Sequence, residues 1–156
     1  MDRQAIEIIE TEIVLEETRS ANHSHLIHRL GVALLPYEGR YDIMPELEFE
    51  LAAGDLRPDV ALVTKTALRL GKGYWCYPGP LVTAIEIISP TQSMNGLVIR
   101  ICESYFRSGV QSAWLVLPTA RTIHLYLPNQ PVQVLTTGIL LDPVSGVEVE
   151  INKLFR

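Results

Sequence analysis

Apolar positions along the chain are densest between residues 81 and 90, where one carboxylate, Glu86, interrupts a strand-like run. On the two-residue period of a strand, Glu86 shares a face with Val82, Ala84 and Ile88, and the other face is built from apolar or small residues. Both faces are therefore predicted to be buried. An unpaired polar group in such surroundings costs roughly 2–7 kcal/mol, and an ionised one costs more. Glu86 is thus expected to be hydrogen-bonded, neutralised or bound to a metal ion.

A second apolar run, residues 60–63, follows Asp59, and Pro58 suits the start of a strand. If the two runs are neighbours in one sheet, Asp59 and Glu86 project into the same cleft. Two adjacent carboxylates repel unless a cation lies between them, and Mg²⁺ is bound through one or two carboxylates with waters and phosphate oxygens. The pair predicts a metal site. The alternative, that these acidic residues are solvated strand ends, stays open.

Further periodic segments predict the remaining elements. Apolar residues between 26 and 34 recur at helical spacing after a cap at Asn22 or Ser24. A second helix, with a continuous 3.6-residue apolar stripe, is predicted between a cap at Ser93 and a stop at Gly109. Strands are also predicted over residues 6–15 (a hairpin), 46–51 (followed by a turn at Gly54–Asp55), 113–117, 122–127, 132–135 and 147–151.

Three histidines, His23, His25 and His28, crowd the start of the first predicted helix. His25 and His28 are three residues apart and can share a helix face, which would suit zinc, but no cysteine or carboxylate cluster nearby completes a ligand set. Polar surface residues at a helix start are the favoured interpretation.

Three glutamates, Glu46, Glu48 and Glu50, alternate with apolar residues and fall on one face of a predicted strand. The pattern favours a solvated acidic face. A further metal ligand at the mouth of the cleft is the other interpretation.

Bulk composition is that of a globular protein. The chain has 156 residues, of which 47% are hydrophobic and 20% charged, and this predicts a single domain over residues 1–156. Its net charge of −5 argues against strong, sequence-independent binding of nucleic acid, which depends on neutralising phosphates.

The aromatic residues of a loop predicted over 65–80 either stack bases or pack that loop onto the body. A mean hydropathy of +0.18 predicts a homodimer or higher homo-oligomer.

Membrane and export signals are not expected. The sequence has no run of ~18 apolar residues, and the acidic residues soon after Met1 are unlike a signal peptide. Cys76 and Cys102 lack a metal-like spacing and fit reduced thiols. A cytoplasmic location, with no membrane partner, is the expectation.

An ordered set of short motifs resembles the Uma-type family of bacterial putative restriction endonucleases, within the PD-(D/E)XK nuclease superfamily. The motifs are Pro58-Asp59-Val60-Ala61, Glu86-Ile87-Ile88-Ser89-Pro90-Thr91, Tyr105-Phe106-Arg107-Ser108-Gly109-Val110, and Trp114-Leu115-Val116 with Pro118 and Ala120-Arg121-Thr122. The resemblance extends over nearly the whole chain. It implies an α/β (or α+β) fold with a mixed central β-sheet flanked by helices, resembling the restriction-endonuclease-like fold.

The resemblance also implies a site. Asp59 and Glu86 are its metal ligands, Mg²⁺ (or Mn²⁺) its cofactor and DNA its substrate. A lysine is implied either four residues before the family tyrosine or two residues after the Glu, but these positions hold Ile101 and Ile88. Arg100, about 100° around the helix from Ile101, is the candidate substitute.

Two functions follow from this pattern. The first is a Mg²⁺-dependent endonuclease in which Asp59, Glu86 and Arg100 are catalytic. An isoleucine supplies neither charge nor hydrogen bonds, and loss of one electrostatic contact of this kind typically costs ~10²–10³ in rate. The second is therefore a catalytically inactive nuclease fold that serves as an interaction or oligomerisation module. For Arg100, Glu103 and Arg107, the favoured interpretation is a charged surface face of the helix.

Overall fold

The structure, a computed structural model, describes residues 20–65, 73, 77 and 81–156. The hairpin predicted over residues 6–15 lies outside these residues, as does most of the loop predicted over 65–80. Tyr77 is an aromatic residue of that loop that the structure does describe. It is buried with its ring centroid 5.4 Å from that of Phe49, so the Tyr77 side chain itself packs against the body.

A six-stranded mixed sheet forms the centre of the molecule. Its spatial order is β1-β4-β5-β6-β7-β8, and β5 and β6 are its one parallel pair. The strands are β1 (Tyr41–Pro45), β4 (Val60–Thr64), β5 (Leu81–Ile87), β6 (Ser112–Leu117), β7 (Thr122–Tyr126) and β8 (Gln133–Leu135). Two short antiparallel pairs lie apart from it: β2 (Phe49–Leu51) with β3 (Gly54–Leu56), and β9 (Ile139–Leu141) with β10 (Glu148–Glu150).

Helical segments cover both faces of the sheet. Helix α1 spans Ala21–Leu34 and α3 spans Ile151–Leu154. Helix α2 (Met94–Ile99) continues into a π-helical turn, Arg100–Tyr105, and a 3₁₀ turn, Phe106–Ser108. A parallel strand pair needs a crossover connection, and these three segments supply it between β5 and β6. None of the helices in the described part of the chain is long and apolar enough to cross a membrane.

Two apolar clusters, one on each face, hold these layers together. Helices α1 and α3 pack against Ile85, Ile87 and Trp114 on the first face. Helix α2 and the π-helical turn pack against Ala84 and Leu115 on the second. Strands β5 and β6 are therefore buried on both sides, as their nearly continuous apolar sequences predict. The predicted mixed sheet flanked by helices is confirmed.

Local details differ from the predictions. Ser20 caps α1 by accepting a hydrogen bond from the His23 N–H at 3.1 Å, instead of Asn22 or Ser24. A register irregularity between β4 and β5 also shifts Val82 off the face of Glu86, because Val63 pairs with Leu81 and Leu62 with Thr83.

The hairpin that precedes β4 also differs. Gly54 and Asp55 lie in β3, so the turn predicted there is wrong and residues 52–53 make the turn instead.

Asp142 is a buried carboxylate that the sequence patterns do not reveal. Its Oδ2 accepts hydrogen bonds from Ser112 Oγ at 2.7 Å and Trp114 Nε1 at 2.8 Å. Its Oδ1 accepts from the backbone N–H groups of Val144 and Ser145 at 2.9 and 3.3 Å. These bonds tie the turn after β9 to the centre of the sheet.

Asp142→Ala is expected to lower the free energy of unfolding by about 3 kcal/mol or more. The substitution leaves several buried donors without their charged acceptor, which is among the costliest single changes. Denaturant unfolding followed by circular dichroism measures the loss. Asp55→Ala, an exposed change opposite Glu50 on the β2–β3 pair, is the control and should stay within about 0.5 kcal/mol of the parent. Equal losses in both variants would contradict this account.

Candidate active site

Asp59 and Glu86 meet at one edge of the sheet. Strand β4 begins directly after Asp59, and Glu86 is the penultimate residue of β5. The strands are antiparallel and Val60 pairs with Ile85, so Asp59 and Glu86 occupy the next opposed positions. Both are buried, with 6% and 3% of their surfaces exposed. The structure thus brings together the two carboxylates that the sequence singles out.

Both carboxylate oxygens of Asp59 are held by hydrogen bonds. Oδ1 lies 2.8 Å from His23 Nε2, and Oδ2 accepts from the Ile87 N–H at 2.7 Å. A helix from one layer and a strand of the sheet therefore fix the orientation of this carboxylate.

His23 is a site residue that sequence reasoning missed. The expectation of surface histidines is wrong for His23, which is 1% exposed, although His25 and His28 are exposed. Because α1 begins after Ser20, His23 falls on the same stripe as Leu26 and Leu30, three and seven residues further on. That spacing was the available signal.

The hydrogen bonding of His23 also indicates its tautomer. Its Nδ1 is buried and has no hydrogen-bond partner among the residues that the structure describes. A buried N–H left without an acceptor costs about 1–3 kcal/mol. The favoured tautomer therefore carries its proton on Nε2, where it donates to Asp59.

Glu46 lies beside this pair. Ligand atoms of His23, Glu46 and Asp59 all lie within 4.8 Å of one another. Glu46 has a φ of +53°, in the left-handed region, and its N–H donates to the Asp59 carbonyl at 3.0 Å. The strand predicted over 46–51 therefore starts only at Phe49, because the left-handed residue breaks the extended chain.

The carboxylates of Asp59 and Glu46 form an oxygen donor set that fits a divalent cation, while His23 holds Asp59 through its Nε2–H. Carboxylate oxygens suit Mg²⁺ and Mn²⁺. Asp59 belongs both to this set and to the pair it forms with Glu86. A cation at this edge would be held by oxygens that the fold already orients.

Glu86 has two partners on the crossover segment. Tyr105 Oη donates to its Oε1 at 2.6 Å, and Arg100 Nη1 lies 3.5 Å from the same oxygen. Burial, with a further contribution from the negative charge of Asp59, raises the pKa of Glu86 to about 7, although Tyr105 and Arg100 act in the opposite direction. Burial and the neighbouring Glu86 also raise the pKa of Tyr105. The Glu86 carboxyl group is therefore only partly ionised near neutral pH.

The π-helical turn explains how Arg100 reaches Glu86. In a regular α-helix, residues five apart point about 140° away from each other, so Arg100 and Tyr105 would not share a face. Here the Phe106 N–H donates to the Ile101 carbonyl, five residues back, and the widened turn lets both side chains contact Oε1 of Glu86. The prediction of a continuous 3.6-residue helix is wrong at this turn.

The two positions at which the family resemblance implies a lysine lie in apolar surroundings. Ile101 is fully buried and Ile88 is half-buried, both in the cluster beneath the crossover segment. Of the charged face predicted for Arg100, Glu103 and Arg107, only the last two form an ion pair, with Nη2 and Oε2 2.7 Å apart. Arg100 instead directs its half-exposed guanidinium to the buried carboxylate.

Glu86→Gln is expected to stabilise the protein at high pH. The folded pKa of about 7 exceeds the ordinary 4.5, so between these values the unfolded chain ionises first and the parent loses stability as pH rises. The loss reaches roughly 3 kcal/mol above pH 7. The stability difference between variant and parent should grow from about pH 4.5 to 7 in denaturant unfolding. Glu103→Gln, an exposed change, should show no such growth, and a pH-independent difference for Glu86→Gln would contradict the assignment.

The mixed sheet, the crossover helix and the paired carboxylates define a protein of the restriction-endonuclease-like class. The chain belongs to the Uma2 family, described as "Putative restriction endonuclease", whose profile matches residues 1–152. The family predicted from the short motifs is thereby confirmed.

A solved structure supports the fold independently. The crystal structure of a putative nuclease belonging to DUF820 from Anabaena variabilis superposes with a TM-score of 0.72 at 19% sequence identity. The match covers 88% of this chain and 82% of that one. No curated protein matches the chain. Family and fold together support a nuclease.

Proposed function

We propose that this chain is an endonuclease that hydrolyses DNA phosphodiester bonds with the help of a divalent cation, Mg²⁺ or Mn²⁺. The observation that carries the proposal is the meeting of Asp59 and Glu86 at one sheet edge, with Arg100 beside Glu86. Burial of both carboxylates is expensive without a partner of opposite charge, and a cation relieves that cost.

Asp59 and Glu86 are the residues we assign to the cation, with Glu46 close enough to Asp59 to take part. A bound divalent cation polarises a phosphoryl oxygen and lowers the pKa of a bound water. The protein prepares this site in advance: His23 and the Ile87 N–H hold Asp59, and Tyr105 holds Glu86. Such supporting hydrogen bonds fix ligand orientation and are commonly worth 10–100-fold in metal affinity or activity.

Arg100 is the residue we assign to the role of the absent lysine. Its guanidinium is permanently charged and half-exposed, so one side can contact Glu86 while the other faces a phosphate. A guanidinium donates hydrogen bonds and supplies positive charge, but it does not act as a general base. Its contribution is therefore to orient the phosphate and stabilise developing negative charge.

A non-catalytic nuclease fold that serves as an interaction module is the second candidate. The observation that favours it is the apolar character of both lysine positions, Ile88 and Ile101. In this case the carboxylate pair persists with Arg100 and Tyr105 as permanent partners of Glu86.

Cleavage of double- and single-stranded DNA in Mg²⁺ or Mn²⁺ tests the proposal. Asp59→Ala and Glu86→Ala are expected to abolish cleavage, since each removes a ligand. Arg100→Gln should reduce the rate by about 10²–10³ because one charge-stabilising contact is lost. The control, Arg107→Gln, removes an exposed guanidinium whose partner is Glu103 and should retain parental activity.

The same assay separates the two candidate functions. Activity in the parent that survives Asp59→Ala and Glu86→Ala would come from a contaminant and would contradict the endonuclease. Complete inactivity of a folded parent in both ions would favour the interaction module.

Ile88→Lys is expected to raise the cleavage rate. Position 88 directly follows the last residue of β5, packs against the same apolar cluster as Ala84 and is half-buried, so a lysine stem can pack there while its ammonium reaches the cleft. Ile88→Met is the matched control for side-chain length without charge. A rate for Ile88→Lys no higher than that of Ile88→Met would argue against a missing cation as the limiting feature.

A further inference from the structure

A small cavity opens between the first turn of α1, the β6–β7 turn and the end of the described chain. Its volume is about 220 Å³, below the range of roughly 300–1,000 Å³ that is usual for small-molecule sites. The side chains that line it are Asn22, His25, Leu26, Pro118, Arg121, Phe155 and Arg156. The size suits a single phosphate group better than a nucleobase or a drug-sized ligand.

The lining of this cavity is cationic. Arg121 and Arg156 come from two separate segments, and none of the seven lining side chains is acidic. Leu26 and Phe155 are almost fully buried and form an apolar floor, which strengthens charge interactions above it. His25 Nε2 lies 2.7 Å from the Arg156 carbonyl oxygen and so fixes the arginine-bearing segment to α1.

A second cavity, of about 330 Å³, provides a contrast. It lies between α1, β10 and α3, where Arg29 and Lys153 are offset by Glu148 and Glu150. Lys153 Nζ is 3.1 Å from Glu150 Oε2. The excess of positive charge is therefore a property of the first cavity and not of both.

The backbone of Arg121 has a left-handed conformation that is uncommon for an arginine. Arg121 has a φ of +52°, in the left-handed region, and its N–H donates to the Pro118 carbonyl at 3.2 Å. Glycine or asparagine builds such a turn at lower cost, since a left-handed residue with a larger side chain loses ~1–2 kcal/mol. An arginine here places a long cationic side chain at a fixed point of the sheet edge.

The cavity lies beside the carboxylate pair. Asn22 and His25 flank His23, whose ring contacts Asp59. The β6–β7 turn follows the carboxyl end of β6, which runs parallel to β5 and pairs Val116 with Ile87, the residue after Glu86. Cavity and carboxylates thus share the same sheet edge and the same helix turn.

We propose that this cavity, through Arg121 and Arg156, binds a backbone phosphate of the DNA substrate next to the phosphodiester that is cleaved. The inference rests on the proposed function. It accounts for recognition of a polyanion by a chain of net charge −5, because two arginines lie together beside the carboxylate pair.

Fluorescence anisotropy of a short labelled DNA duplex, titrated with the full chain in Ca²⁺ at several NaCl concentrations, tests the site. Arg121→Gln with Arg156→Gln is expected to weaken binding at least about tenfold, since hydrogen bonds to charged groups contribute ~1.5–3 kcal/mol each. The slope of log affinity against log salt should become shallower by about one for each arginine removed. Lys153→Gln, which removes one cation from the second cavity, should leave affinity within about twofold.

Outcomes of this titration separate the two proposals. An unchanged salt slope in the double variant, or no DNA binding by the parent, would overturn the phosphate site. Cleavage that needs Asp59 but shows an unchanged KM in the double variant would also overturn it while leaving the endonuclease intact. Arginine-dependent binding without any cleavage would keep the phosphate site and overturn the endonuclease. Circular dichroism melting of each variant confirms that the fold is retained.

Discussion

Two buried carboxylates lie opposite each other on an antiparallel strand pair. The residues around them must supply hydrogen-bond donors or positive charge. Asp59 and Glu86 repel each other, and each is tolerated only because donors surround it. The donors come from both helical layers and from the sheet: the first turn of α1, the backbone of β5 and the π-helical turn. The layers on the two faces of the sheet are thus linked through one pair of acids, and any change in how either helix packs alters the surroundings of one carboxylate.

The π-helical turn shows how the fold places a positive charge beside Glu86 although neither implied lysine position holds a lysine. Arg100 begins the turn and Tyr105 ends it, and both contact one oxygen of Glu86. The arginine supplies charge and the phenol supplies a short hydrogen bond. The sequence alone does not place both residues beside Glu86, since a regular helix would separate them by about 140°. The local departure from α-helical geometry therefore defines the chemistry of this edge.

Much of the architecture is legible in the sequence, and the limits of prediction have physical causes. Continuous apolar runs predict buried strands such as β5. Asp59 and Glu86 lie opposite each other because two such runs are neighbouring strands. Contacts that join distant segments are not visible in this way. The burial of His23 was not predicted because the face on which it lies depends on which residue caps the helix. The buried position of Asp142 was not predicted because its donors lie about 30 residues earlier in the chain. The helical spacing of His23 with Leu26 and Leu30 is a short-range signal for His23, whereas short-range periodicity carries no information on Asp142.

The parallel pairing of β5 with β6 has a consequence for how the chain acquires its site. The chain from residue 88 to residue 111 must cross back over the sheet for these two central strands to pair in parallel, and closing such a connection carries an entropic cost. During synthesis, β4 and β5 emerge first and can pair early, but the second face of β5 stays open until the crossover closes over it. Until then, Glu86 remains hydrated and titrates as an ordinary carboxyl group. The raised pKa of Glu86 is therefore acquired only once the crossover segment packs over β5.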